Sequence, residues 1–404
     1  MGSTSVRVTY VEYAGDVIGS VRSWLARKDD PTEVSLTFSG QFLDAYKDHA
    51  VQLVVPSDVS AQARFDRIEV FHTRVPFFLG SSGIRWHVGQ VLHAFNIIRR
   101  ALAFGTTELF VSSFTYLFLL APLALLGTRI VVIFRTCPRH PDRQPRGVHK
   151  LLYRLNIAFM TACCVRVLAH EPRATALLAA DAPRLKPRII GFLPSFRADA
   201  FARHEPPPLA PPFRLLFVGR LTREKGIYDL VEMTRLLRDE YGIDCVCDVC
   251  GDGPERKGLC GRIDKGRLAG CFCIHGKCDA TRMHEFYASA HICIVPTRSE
   301  CGEGFNMVVA EAVLHQTPVV SSRGCPSVEL VAEAVLLAEP DNPNDYASRV
   351  ASICRDSALY RRLIHAAGRY RDCLLDESRS FKSALRAHAA DRERAPALLA
   401  DRLL

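Results

Sequence analysis

Along most of the chain, short apolar runs of strand length alternate with stretches whose apolar residues recur at helical spacing. Residues 6–11 read as a strand, followed by Gly15 and a helical run to about Arg27. Residues 33–38 predict a second strand, 41–49 a short helix, and 51–55 and 67–71 further strands. The segment 85–104 carries Val88, Val91, Leu92, Phe95 and Ile98 at helical spacing. Residues 108–113, 115–126 and 129–134 then read strand, helix, strand. A helix over 150–162 and strands at 165–169 and 188–192 complete this half. Strands alternating with helices predict a parallel sheet covered on both faces.

A stretch from 109 to 134 is nearly uncharged and long enough to cross a bilayer. Pro122, Gly127 and Arg129 interrupt it, so a buried βαβ unit is favoured over a membrane span. The proline-rich segment 205–212 reads as a stiff linker between domains. A second alternation follows it, with strands at 214–218, 245–250, 271–275, 292–295 and 318–321. The chain therefore predicts an α/β protein of two Rossmann-like domains, 1–204 and 213–375, with ligands at the carboxyl ends of the strands. Two such sheets facing each other would enclose an interdomain cleft. A charged helical tail, 376–404, could pack back on the first domain.

Composition changes this picture little. Apolar residues make up 48% and charged residues 24% of 404 residues, the balance of an ordinary globular protein. The net charge of +9 favours anionic partners without choosing among phosphates, lipid head groups and nucleic acid. A nucleic-acid binder is disfavoured, because the basic residues are scattered and no aromatic strand platform accompanies them. The 15 cysteines are not preceded by an apolar leader, and many sit in predicted strands, as free thiols of a reducing cytosol would. Cys247 and Cys250, with Cys271, Cys273 and Cys278, also suggest zinc, but buried thiols are the stronger reading.

Three loops carry candidate chemistry. In the first, a strand ends at Val218 and a helix begins near Gly226, with Arg220 and Lys225 between them. A helix N-terminus and two cations make an anion site; a solvated basic loop is the plainer alternative. The second, Gly251-Asp-Gly-Pro-Glu255, is either a turn beside a ligand or an ordinary β-turn. The third holds Glu303 at the mouth of an apolar helix read over 305–315, with Glu311 inside that helix. The two would lie roughly 12 Å apart if the span were wholly helical. A carboxylate amid apolar residues needs a partner: a ligand hydroxyl, a cation, or a neighbouring backbone group in the core.

Taken in order, the runs Val-Gly-Arg-Leu-x3-Lys-Gly (218–226), Gly-Asp-Gly-Pro (251–254), His-Gly (275–276), Glu-Gly-Phe-x5-Glu-Ala (303–312) and Thr-Pro-Val-Val (317–320) resemble the nucleotide-binding domain of glycosyltransferase family four, within the GT-B superfamily. The resemblance implies a retaining glycosyltransferase that uses a nucleotide-sugar donor as co-substrate, a UDP- or GDP-sugar, with no cofactor and no metal. By it, Arg220 and Lys225 would hold the donor diphosphate and Glu303 the sugar hydroxyls, these three being the catalytic set. Glu311 would bind the ribose. Gly219, Gly253, Gly276, Lys277, Gly304, Phe305 and Asn306 would complete the donor site. No Asp-x-Asp metal pair occurs in the chain, so cations must neutralise the leaving diphosphate.

The first half departs further from the family. Its usual glycine pair is reduced to Ala14-Gly15, and Arg135 stands where many members place a cleft histidine. Arg135, His170 and Glu171 are the acceptor-side candidates; His87, His140 and His149 read as structural or surface residues. The basic run Arg135, Arg139, Arg143, Arg146, Lys150 and Arg154 leads into apolar residues from Val148 onward. It reads equally as a solvated loop with a domain helix or as a contact with an anionic membrane near a lipid-linked acceptor. The expected setting is cytoplasmic, at the inner face of a membrane, in the building of a polysaccharide or glycoconjugate. A nucleotide-sugar epimerase and a non-catalytic nucleotide-sugar-binding partner are the alternatives.

Overall fold

The structure, a computed structural model, describes residues 6–13, 15–27, 36–78, 82–112, 116–140, 144–170, 172–202, 204–301 and 303–400, with side chains up to Arg392. The chain divides into two compact units. Among the described residues, one holds those up to Ser195 together with those from Glu377 onward, and the other spans Phe196–Asp376.

The first unit contains β1 (Arg7–Val11), α1 (Val17–Leu25), α2 (Phe38–Ala45), β2 (Ala50–Ser57), β3 (Ala61–Phe65), β4 (Ile68–Arg74), α3 (Gly83–Phe104), β5 (Glu108–Ser112), α4 (Ala121–Leu125), β6 (Arg129–Phe134), α5 (Gly147–Cys163), β7 (Cys164–His170), α6 (Pro172–Asp181) and β8 (Ile189–Phe192). Its eight strands lie in the order β3-β4-β2-β1-β5-β6-β7-β8, parallel except for β3. Strand β3 is absent from the sequence expectation because Ala61-Gln-Ala-Arg-Phe65 is largely exposed and lacks an apolar run. Residues 33–35 of the expected second strand lie outside the described residues, and Phe38 opens a helix whose N-cap, Thr37, accepts from Gly40 N. The apolar stretch 109–134 is indeed strand, helix and strand, with β5 and β6 buried in the sheet. No described helix is long and apolar enough to cross a membrane.

One layer of this sheet packs α3, α4, α5 and α6 through Ala94, Ile97, Leu123, Phe159 and Leu178. The other packs α1 and α2, joined by a helix from the end of the chain. The contact of α3 is unexpected. It buries Gly89, Gln90, His93, Ala94 and Ile97, while Val88, Val91, Leu92 and Phe95 face outward. Gly89 explains the lock: a Cβ there would sit 2.6 Å from the Phe77 carbonyl. The last helix (Phe381–Ala400) inserts Phe381 and Leu385 into the core. Its His388 and Arg392 meet the buried Glu108 carboxylate at 2.9 and 3.3 Å, which holds that carboxyl below its usual range despite burial.

The second unit contains β9 (Phe213–Val218), α7 (Ile227–Asp239), β10 (Cys245–Cys250), α8 (Arg256–Lys265), β11 (Phe272–Gly276), α9 (Ala280–Ser289), β12 (Ile292–Val295), α10 (Met307–Leu314), β13 (Val319–Ser322), β14 (Val335–Ala338), α11 (Pro343–Arg355) and α12 (Ser357–Leu375). The six strands are parallel, in the order β11-β10-β9-β12-β13-β14. This is the doubly wound order, in which the chain reverses direction beside the first strand. The proline-rich segment packs within this unit: the Pro207 and Pro208 carbonyls accept from Tyr360 and His291 at 3.2 and 3.0 Å. The chain passes between units at 195/196 and 376/377.

Burial lowers three histidines, His93, His170 and His315, to about 4. They stay neutral in the native state while the unfolded chain protonates them from about 6.5 downward. Their contribution to stability is therefore complete above about pH 6.5 and is lost as pH falls toward 4. The melting temperature should be level above neutrality and fall steadily through this window. A flat profile down to about pH 4.5 would contradict the burial of these rings.

Candidate functional site

The candidate residues of the second unit gather where β9, β10, β11 and β12 end. Gly219, with φ +151°, turns the chain out of β9. The loop then makes a short 3-10 turn, Arg223–Lys225, and enters α7 through Gly226 at φ +73°. Neighbouring loops press on it backbone to backbone. A Cβ on Gly251 would stand 1.8 Å from the Gly219 carbonyl oxygen, and one on Gly253 2.5 Å from that of Leu221. Four hydrogen bonds bind these loops together. Gly219 N donates to Cys250 O at 3.0 Å, Leu221 N to Asp252 O at 3.0 Å, Glu255 N to Leu221 O at 3.1 Å, and Gly251 N to Gly276 O at 2.7 Å. The glycines at 251 and 253 thus act first as spacers that let the strand ends converge, while Gly276, at φ +72°, only turns the chain. Lys277 beyond them is exposed.

On the other side the Lys225 loop meets the end of β12. A Cβ on Gly226 would lie 1.9 Å from the Pro296 carbonyl oxygen. Arg298 fastens the two loops. Its N–H donates to Glu224 O at 2.9 Å, and its guanidinium donates to both Asp229 oxygens on α7, at 2.9 and 2.8 Å. Asp341 holds the adjacent Ser299 through its N–H, at 3.1 Å. Arg298 and Asp229 are positioning residues that the sequence reading passed over, since 69 positions separate them and neither stands in a motif.

This framework brings Lys225 into an ion pair with Glu303, 78 residues away. The Glu303 side chain is only 8% exposed. Among the described residues nothing donates to its Oε2, although that atom is buried. Arg220 is exposed in the same loop, and no side-chain partner is found for it among the described residues. The helix expected from 305 begins at Met307, because Asn306 caps it, accepting from Val309 N at 3.3 Å. Asn306 N itself donates to Ser327 Oγ at 2.5 Å, and Phe305 packs against the core. Gly304 is half-buried, and Gly302 lies outside the described residues. Glu311, one turn into α10, accepts from the buried Tyr287 hydroxyl at 3.1 Å. Burial, reinforced by the Glu311 charge, keeps that phenol protonated and so a donor.

The cysteine pair Cys247 and Cys250 packs into two different cores on opposite faces of β10 and cannot share an ion. One group of possible metal donors, Asp248, Cys273 and His275, occurs among the described residues. Its Asp248 already accepts from Arg214 at 2.6 Å and pairs with His275 at 2.7 Å.

In the first unit, Arg135 is not a free cation. It pairs with Glu12 and the Tyr10 hydroxyl, and lies 4.0 Å above the Phe38 ring. His170 is buried, stacked on Phe192 at 5.1 Å, with Nδ1 3.3 Å from the Arg135 carbonyl oxygen. Glu171 lies outside the described residues, as do Ala14 and Arg143. His87 pairs with the Tyr116 hydroxyl and has His149 5.9 Å away; His140 is half-buried.

Residues 201–369 match the family described as glycosyl transferases group 1. An uncharacterized glycosyltransferase of Methanocaldococcus jannaschii is 28% identical over 150 residues, 37% of this chain and 40% of that protein. The match thus spans well under half of that relative's length. Among solved structures, the sucrose-phosphate synthase of Thermosynechococcus elongatus superposes with a TM-score of 0.68 at 15% identity, over 98% of this chain and 100% of that one. The Anabaena HepE protein in complex with UDP does so with a TM-score of 0.65 at 14% identity, over 96% and 100%. Residues 201–369 thus resemble the group 1 glycosyl transferases, and the whole chain shares the two-sheet GT-B fold of these solved structures.

Proposed function

We propose that the protein is a retaining glycosyltransferase that moves a sugar from a nucleotide-sugar donor to a glycan or lipid-linked acceptor, in polysaccharide or glycoconjugate synthesis. The observation that carries this reading is the Lys225–Glu303 pair. One carboxylate oxygen holds the lysine, and the other is buried without a donor, at the edge of a loop that also presents Arg220. A sugar hydroxyl supplies the missing donor to Glu303 Oε2. The donor diphosphate meets Arg220, Lys225 and the start of α7, which together offset the charge that grows as the bond to the anomeric carbon breaks. Glu311 and the backbone near Gly276 receive the nucleoside, Glu311 through the ribose hydroxyls.

The bond from the anomeric carbon to the diphosphate oxygen breaks, and a bond to the acceptor hydroxyl oxygen forms on the same face. The acceptor proton passes to an oxygen of the departing phosphate. These cations make the step possible without a metal. HepE was solved with UDP, and a uridine or guanosine diphosphate sugar is the donor class proposed here.

Thermal unfolding with UDP-, GDP- and ADP-sugars tests the donor. One class should raise the melting temperature in proportion to the logarithm of its concentration, about 2.7 kcal/mol at a hundred times Kd. No stabilisation by any of them would overturn the reading. Conversion of the donor sugar to its epimer without acceptor would assign the site to an epimerase instead.

A further inference from the structure

We infer that the outer face of the α3, α4 and α5 layer docks on an anionic lipid bilayer. This goes beyond the transfer reaction and is tested without it. In water a helix turns its apolar stripe to the core. Helix α3 does so only in part: Ala94, Ile97 and Ala101 are buried, but Phe95 is 69% and Ile84 82% exposed while Gln90 and His93 are buried. The close seat of Gly89 on the Phe77 backbone leaves no room to rotate the stripe inward. The surface continues beyond α3. Leu125 and Leu126, at the end of α4, are 86% and 70% exposed. On α5, Val148 and Leu151 also face out.

The three helices adjoin. Leu123 of α4 shares a core with Ile97 of α3 and Phe159 of α5, and the His87 and His149 rings of α3 and α5 lie 5.9 Å apart. A single soluble molecule rarely leaves so many neighbouring large apolar side chains in water.

Charge selects the occupant. None of the residues in α3, α4 or α5 is acidic, whereas Arg85, Arg99, Lys150 and Arg154 are exposed on α3 and α5. A second copy seated face to face would set these cations against their own images with no carboxylate to offset them. An anionic bilayer offers hydrocarbon to the leucines and phosphates to the cations at once. Trp86, partly exposed at the start of α3, adds an amphipathic aromatic of the kind favoured at such an interface. No described helix is long and apolar enough to span, so the contact lies in the plane of the surface.

Co-sedimentation of the full chain with vesicles tests this, using phosphatidylcholine alone or mixed with phosphatidylglycerol. Binding is expected to the mixed vesicles and to weaken with salt. The double substitution Phe95→Ser with Leu151→Ser should reduce it about tenfold or more, at unchanged melting temperature, because both side chains are exposed. Lys150→Ala and Arg154→Ala should each reduce it about fivefold. Failure of the wild-type chain to bind mixed vesicles at low salt overturns the inference. Equal binding to both vesicle types does so too, as would a lipid-free dimer that Phe95→Ser with Leu151→Ser dissociates.

Discussion

Replacing Lys225 with alanine is expected to slow transfer by about a hundredfold to a thousandfold, the usual loss when a group that stabilises developing charge is removed from a shielded site. The loss should exceed that of an ordinary surface cation for two reasons. Lys225 touches the proposed leaving group, and it also holds Glu303, whose carboxylate is buried. Without the ammonium, Glu303 keeps its burial and loses its only described donor. The variant should therefore bind donor more weakly as well as turn over more slowly. Adding Arg220→Ala should deepen the defect without disturbing the fold, since Arg220 is exposed. Steady-state kinetics with donor varied will show it. Full activity in the double variant would remove the diphosphate from this loop.

The second large effect is expected from one methyl group. Gly251→Ala and Gly226→Ala each drive a Cβ into a neighbouring carbonyl oxygen, at 1.8 and 1.9 Å, from backbones at φ +148° and +73°. The backbone conformation alone costs about 1 kcal/mol for alanine. The contact adds more, because the obstacle is backbone and cannot swing aside; about 3 kcal/mol or more in total is expected. Gly261→Ala, in α8 with nothing within 4 Å, is the control and should be neutral or stabilising by about 1 kcal/mol. Denaturant unfolding of the three variants separates the cases. A Gly251→Ala chain as stable as Gly261→Ala would show that the loops do not converge as described.

The two experiments address different links. Lys225 tests chemistry at a site already assembled, and Gly251 tests the assembly. Loss of activity in Gly251→Ala with normal stability would move that glycine from spacer to ligand contact.

Much was legible along the chain. Strands β9, β10 and β12 stood out as largely apolar runs of four to six residues, each followed by a glycine- or proline-bearing loop. The segments 218–226, 251–254 and 303–312 were legible as candidates because glycines and charged residues follow predicted strands there, and as a donor site only through the family resemblance of their order. The edge strand β3 was not, since an exposed antiparallel strand needs no apolar alternation beyond what its one partner supplies. Nor were Arg298 and Asp229, whose pairing depends on where two loops fall in space.

What the sequence determined by itself was periodicity: which segments are strands or helices, and which residue types stand at their ends. Periodicity follows from local geometry, 3.6 residues per turn or two per pleat, and needs no knowledge of neighbours. Tertiary structure decided which way each face points and which ends meet. It turned the stripe of α3 outward because Gly89, not Phe95, fits against the Phe77 backbone. It sent Cys247 and Cys250 to opposite cores, took Arg135 into a pair with Glu12, and joined Lys225 to Glu303 across 78 residues. Each of these outcomes is set by close packing between segments distant in the chain, and the order of residues along one segment carries no term for it.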